Sequence, residues 1–124
     1  MAAVELILYR DSEGKTPLLI EWLDGLSSKA RLKCLVRLKR LEDLGHELRR
    51  PEADFLRDGI YELRASYQGV HHRMLYFFRG RTVVVVTHGL VKEREVPVRE
   101  IEKALQLKSQ FELNPVRHTF RPER

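Results

Sequence analysis

The chain has 124 residues, 43% apolar and 33% charged, with 23 Lys plus Arg against 18 Asp plus Glu for a net charge of +5. That is one domain's length, enough for a core without staples. The lone cysteine, Cys34, excludes an internal disulfide or a multi-thiolate zinc site and suits a reducing cytosol.

Val4 to Tyr9, rich in branched and aromatic residues, reads as a strand. It lacks a basic leader and carries Glu5, so it does not read as a secretory signal. No apolar run approaches the ~20 residues that span a bilayer. A cytoplasmic protein without a membrane partner is expected. Asp11 to Lys15 reads as a turn. Thr16-Pro17 predicts a helix start, with Thr16 as N-cap and Pro17 as first helical residue, and Gly25 an end. Ser27 or Ser28 caps a longer helix to about Leu44, stopped by Gly45. Ala30, Cys34, Leu38 and Leu41 share its buried face, and Lys29, Lys33, Arg37 and Arg40 repeat that spacing on another. The short link makes the two helices an antiparallel hairpin.

After Pro51, Ile60 to Ala65, Val70 to Phe78 and Thr82 to His88 read as strands, linked by residues 66–69 and 79–81. Pro97 starts a third helix to Leu113, with Val98, Ile101, Ala104, Leu105 and Phe111 as its packing face. The expectation is an α+β domain over 1–113, in the order β-α-α-β-β-β-α. A helical hairpin and a C-terminal helix pack on a small antiparallel sheet, with the first strand free to join one edge. Residues 114–124 read as a basic tail that frays.

Charge is uneven. Residues 27–50 hold eight basic and three acidic groups, whereas residues 51–80 hold four of each. A basic balance suits polyanions, nucleic acid above all. The Lys29/Lys33/Arg37/Arg40 stripe fits such a partner or a plain wet helix face.

There is no phosphate loop, HExxH, CxxC or nucleophile elbow. His71-His72 resembles a metal pair, but adjacent strand residues point to opposite faces, so no metal site is expected. Cys34 on an apolar face reads as an inert core thiol. If 66–69 form a four-residue loop, Arg64 opposes His71 and Glu62 opposes Arg73. Glu62, Arg64, His71 and Arg73 then share one sheet face. Tyr61, Leu63, Met74, Tyr76 and Phe78 make the core face. The basic face can hold a phosphate; a solvated face with a Glu62–Arg73 pair is the plainer alternative. Lys92, Arg94 and Arg99 form a further basic cluster, interleaved with Glu93, Glu95 and Glu100.

Leu56-Arg57-Asp58-Gly59-Ile60-Tyr61-Glu62-Leu63-Arg64, Arg73-Met74-Leu75-Tyr76-Phe77-Phe78, His88-Gly89-Leu90-Val91-Lys92 and Pro97-Val98-Arg99-Glu100-Ile101 together resemble the RelE/ParE toxin superfamily. The nearest branch is the phage-derived Gp49-like or HigB-type proteins. The resemblance implies the toxin of a type II toxin–antitoxin system, a ribosome-dependent mRNA endonuclease that uses no metal or cofactor. It implies a cognate antitoxin, a helix-turn-helix protein from an adjacent gene. Arg64 matches the arginine closing the family's Leu-Arg strand motif, Arg73 the arginine that starts the next strand and clamps phosphate, and Lys92 and Arg94 the basic segment after the last strand; Arg64 and Arg73 are both expected on phosphate. The family's tyrosine near the last helix and its lysines on the second strand are absent. His71 and His88 are the substitutes available for proton transfer. Those absences motivate a second reading, a non-catalytic ParE-like gyrase inhibitor or degenerate toxin acting as a binding module. Leu32 and Val36 either belong to an antitoxin-docking surface or pack on the first helix.

Overall fold

A computed structural model describes residues 3–122. Strand β1 (Glu5–Tyr9) leads to helix α1 (Leu18–Asp24). Pro17 takes the N-cap position itself and no side chain caps that helix, so Thr16 is not the cap the sequence suggests. Helix α2 (Ser28–Leu44) begins as expected, the Ser27 hydroxyl accepting from Ala30 N–H at 3.2 Å. Gly45, at φ +54°, terminates it where a side chain would be strained. Ala30, Cys34, Leu38 and Leu41 are its buried stripe.

Strands β2 (Ala53–Arg57), β3 (Ile60–Tyr67), β4 (Val70–Arg79) and β5 (Val83–Val91) follow as antiparallel neighbours. Strand β2 is absent from the order expected from sequence, because it is short and mixed in charge. Its turn is written plainly, because Asp58 and Gly59 have φ of 51° and 84°, the two left-handed residues of a tight hairpin. Gln68 and Gly69 repeat the device at 51° and 78°.

The loop of the β3–β4 hairpin is therefore two residues, not the expected four. Tyr67 opposes Val70 and Arg64 opposes Arg73, rather than His71. This slip of two residues keeps every side chain on its expected face, whereas a slip of one would have exchanged them.

Among the described residues the sheet has the order β2-β3-β4-β5-β1-β6, where β6 is Thr119–Phe120. Strand β1 runs parallel to β5 and is not an edge. Its outer side pairs with β6 (Thr119–Phe120). The sheet is thus mixed rather than wholly antiparallel. Helices α1 and α2 cover one face, over Leu63, Ala65, Met74, Tyr76, Val84 and Val86. Helix α3 (Val98–Leu113) covers the other, over Ile60, Leu75, Phe77 and Val85. It buries Ile101, Ala104, Leu107 and Phe111; Val98, expected on that face, is exposed.

Of the segment expected to fray, residues 123 and 124 lie outside the described residues, and residues 114–120 are tied down. Helix α4 (Pro115–His118) is capped by the Asn114 side chain, which accepts from Arg117 N–H at 3.3 Å. His118 is buried, stacks on Tyr9 at 4.8 Å and donates through Nδ1 to the Arg10 carbonyl at 2.8 Å. No helix among the described residues is long and apolar enough to cross a membrane.

Candidate functional site

Helix α3 covers only part of its sheet face. Toward the Gln68–Gly69 turn the same face carries Glu62, Arg64, Ser66, His71 and Arg73, outside the α3 cluster. An open cavity of about 730 Å³ lies at this end of the sheet, lined from that face by Arg64, Ser66, His71 and Arg73 and otherwise by His72, Glu93, Arg37, Pro51 and Glu52.

Arg64 and Arg73 are directly opposed across the strands, an arrangement that by itself repels. Glu62 resolves it. Glu62 is 2% exposed, and its carboxylate accepts from Arg73 Nη1 at 2.5 Å and Arg64 Nη2 at 2.9 Å. The Glu62–Arg73 pair anticipated from the sequence is thus present, but diagonal rather than directly opposed. Arg73 Nε also donates to the Lys92 carbonyl at 3.3 Å, and Arg64 Nη2 reaches Asp54 at 3.4 Å. Two carboxylates, Glu62 and Asp54, thus stand against the two guanidiniums. Removing one partner of a buried pair costs about 3–5 kcal/mol, so the three side chains depend on one another for stability.

His71 is exposed at the rim, its Nδ1 3.0 Å from Ser66 Oγ. His72 points to the opposite face, is 4% exposed and meets the Trp22 ring edge-on at 6.0 Å. The two histidines thus diverge as strand alternation requires. Trp22 reaches the sheet by lying over Gly89, where a Cβ would come within 2.2 Å of the ring. That close approach is the physical reason for glycine in the His88-Gly89-Leu90 string.

His88 is not brought to this site. It is buried on the side of α3, with Nε2 3.0 Å from Glu100 and Nδ1 2.9 Å from Thr87 Oγ1. Burial pushes its pKa down and Lys103 adds to this; Glu100 opposes both. His88 thus ties β5 to the first turn of α3 and does not line the cavity, contrary to the proton-transfer role expected from sequence.

Of the helical stripe, Lys29 and Lys33 are exposed, as expected of a wet face. Arg37 and Arg40 are not free: Glu52 pairs with Arg37 at 2.5 Å and accepts both arms of Arg40 at 2.9 Å. The Arg40 hydrogen bonds, with Arg37 beside them, pull the Glu52 pKa down to about 2. Lys92 and Arg94 are exposed beside the end of β5, and Lys92 N–H donates to the His71 carbonyl at 3.1 Å. Leu32 and Val36 do not pack on α1 but stand 59% and 55% exposed. Cys34 is fully buried, which raises its pKa to about 11 and keeps the thiol protonated.

Glu52, Ser66 and His72 were missed from the sequence. Only the two-residue Gln68–Gly69 turn could have signalled Ser66, since it places Ser66 opposite His71.

No curated protein matches the chain. Residues 21–109 match the family described as phage derived protein Gp49-like (DUF891), and this span contains every residue lining the cavity. The chain belongs to that phage-derived Gp49-like family, which is related to the toxins of toxin–antitoxin systems.

Proposed function

We propose that the protein is the toxin of a type II toxin–antitoxin pair and cuts mRNA on the ribosome. The observation that carries this reading is the Arg64–Glu62–Arg73 cluster facing an open cavity with His71 at its rim. In the proposed reaction an RNA 2′-oxygen attacks the adjacent phosphorus while its proton passes to a base. The bond from phosphorus to the 5′-oxygen breaks, that oxygen takes a proton, and a 2′,3′-cyclic phosphate is left. Negative charge builds on the non-bridging oxygens, and Arg64 and Arg73 stabilise it in place before the reaction. His71 is the proton-transfer group, its ring set by Ser66. The ribosome supplies the strand geometry, so few groups suffice. Lys92, Arg94, Lys29 and Lys33 support long-range attraction to RNA. A cognate antitoxin covers the toxin, and the exposed Leu32 and Val36 belong to the surface it can use.

The test is induced expression followed by primer extension on cellular mRNA. Cleavage and growth arrest are expected, with Arg73→Ala cutting about 10²–10³-fold more slowly if each cation contributes as oxyanion donors do. Intact messages and unchanged growth would sink the reading.

Glu62 favours a second one. A carboxylate stands where the family's nucleases carry lysine, and it occupies both guanidiniums. A non-catalytic, gyrase-inhibiting or partner-binding protein tolerates that arrangement better. Loss of supercoiling by purified gyrase, with mRNA left whole, would select this alternative.

A further inference from the structure

A second cavity, of about 470 Å³, lies between residues 46–50 and strand β2, and the proposed reaction makes no use of it. Three rings line it, His46, Phe55 and Tyr61, with buried Leu48 and Ala53 and exposed Arg49. The rings belong to one network on the sheet face that α1 and α2 cover. Phe55 opposes Tyr61, and Tyr61 opposes Tyr76, across the strands. Phe55 meets Tyr61 edge-on at 5.2 Å, and Tyr61 stacks on buried Tyr76 at 5.3 Å and meets Phe78 edge-on at 5.4 Å. His46 stacks on Phe78 at 3.6 Å. Helix α2 ends at Leu44, and Phe55 is left 53% exposed. Rings already held by one another lose little freedom when a flat ligand settles on them.

Strand β2 is a sheet edge, where an added peptide strand is one way to cover an exposed ring. The backbone argues against it. The Glu52 carbonyl accepts from Arg64 N–H at 2.8 Å, so by alternation the N–H groups of Ala53 and Phe55 face away from β3. Both are already taken. Ala53 N–H donates to the Arg49 carbonyl at 3.1 Å, and Phe55 N–H to Asp54 Oδ1 at 3.0 Å. A nucleobase needs no backbone donor, only a ring face to stack on and a cation for its phosphate. Arg49 supplies the cation, since it makes no ion pair with the described residues. Asp54, the carboxylate lining this cavity, is paired with Arg50 at 2.7 Å and Arg64 at 3.4 Å. Arg50 and Arg64 hold its pKa below the ordinary value, so it stays ionised and matched.

We infer that Phe55, Tyr61 and Arg49 form a stacking site for one nucleotide of a single strand, with the base on the rings and the phosphate on the guanidinium. Asp54 joins Arg50 at this cavity to Arg64 at the first, so the two cavities adjoin across β2. That the nucleotide belongs to the message cut beside Arg73 rests on the ribonuclease reading; that a base stacks here does not. The site positions the strand and does not act on the breaking bond.

Adenosine 5′-monophosphate titrated into ¹³C,¹⁵N-labelled protein tests the site, with ribose 5-phosphate as the control that carries the charge without the base. The Phe55 and Tyr61 ring signals and the Arg49 Nε–H signal shift together and saturate with the nucleotide, and ribose 5-phosphate leaves the rings unmoved. Phe55→Ala weakens the nucleotide about tenfold, within the worth of one stacked base, and Phe55→Trp restores it. Phe55 is half exposed, so neither change opens the core. Ring signals that follow ribose 5-phosphate equally, or an alanine variant that binds the nucleotide as the wild type does, overturn the site. A second arm measures cleavage of ribosome-bound mRNA, where Phe55→Ala raises KM about tenfold and Phe55→Trp recovers it. If the wild-type protein cuts nothing yet the nucleotide saturates the ring signals, the ribonuclease reading falls and the stacking site stands. If it cuts and the ring signals do not respond, the reading stands and the stacking site falls.

Discussion

Two titrating residues show how single side chains join distant elements. Glu52 sits between the end of α2 and the start of β2, and its arginine partners hold its pKa near 2, below its ordinary 4.5. The folded state therefore gives up its proton more readily than the unfolded chain. The stabilisation is complete above pH 4.5 and is lost as pH falls toward 2. Urea unfolding at pH 6 and pH 3 should show a larger acid loss for the wild type than for Glu52→Gln. His88 has the opposite chemistry. Burial lowers its pKa below the ordinary 6.5, so below that pH the unfolded chain binds the proton that the fold resists. Stability should fall as pH drops through 6.5, and His88→Gln should flatten that part of the profile. Neither role was legible from residue spacing. Glu52 was one acid among many, and His88 gained its burial from α3, a helix that starts at Val98.

The elements were more legible than their contacts. Ser27 and Gly45 bound α2 as their types predict, because capping is local chemistry. The register of the β3–β4 hairpin was not recovered, because four polar or small residues could serve as loop and only Gln68 and Gly69 do. The shared face of Glu62, Arg64, His71 and Arg73 survived, since side-chain alternation has period two and the error was two. The α1–β5 contact rests on Gly89, whose missing side chain admits the Trp22 ring. Gly89→Ala should overpack this contact and cost about 1–3 kcal/mol. Thermal unfolding reads the loss, and the His72 ring signals should move with Trp22. An alanine variant with unchanged melting temperature and unchanged His72 signals would mean the ring has room to shift.

Across the whole molecule, the sheet ends on a segment that composition alone marks as loose. Strand β6 pairs with β1, and His118 stacks on buried Tyr9, whose hydroxyl donates to Gln110 at 2.8 Å. Truncation after Leu113 removes His118 and Phe120 and bares the β1 edge. It should cost roughly 2–3 kcal/mol, the worth of one large buried side chain, and promote self-association through that edge. A truncated chain with unaltered urea midpoint and size-exclusion profile would show that the segment only decorates the sheet.

The sequence by itself determined the α+β class, the caps and buried stripe of α2, the sharing of one face by Glu62, Arg64, His71 and Arg73, and the family resemblance. Each of these follows from local conformational preference, from side-chain periodicity or from motif order along the chain. Only the tertiary structure decided what that face amounts to. It buried Glu62 between two arginines, withdrew His88 behind α3, and set Arg37 of a helix and His72 of a strand around one cavity. These are packing facts between residues far apart in the chain, set by which surfaces the helices cover, and no period within one segment encodes them.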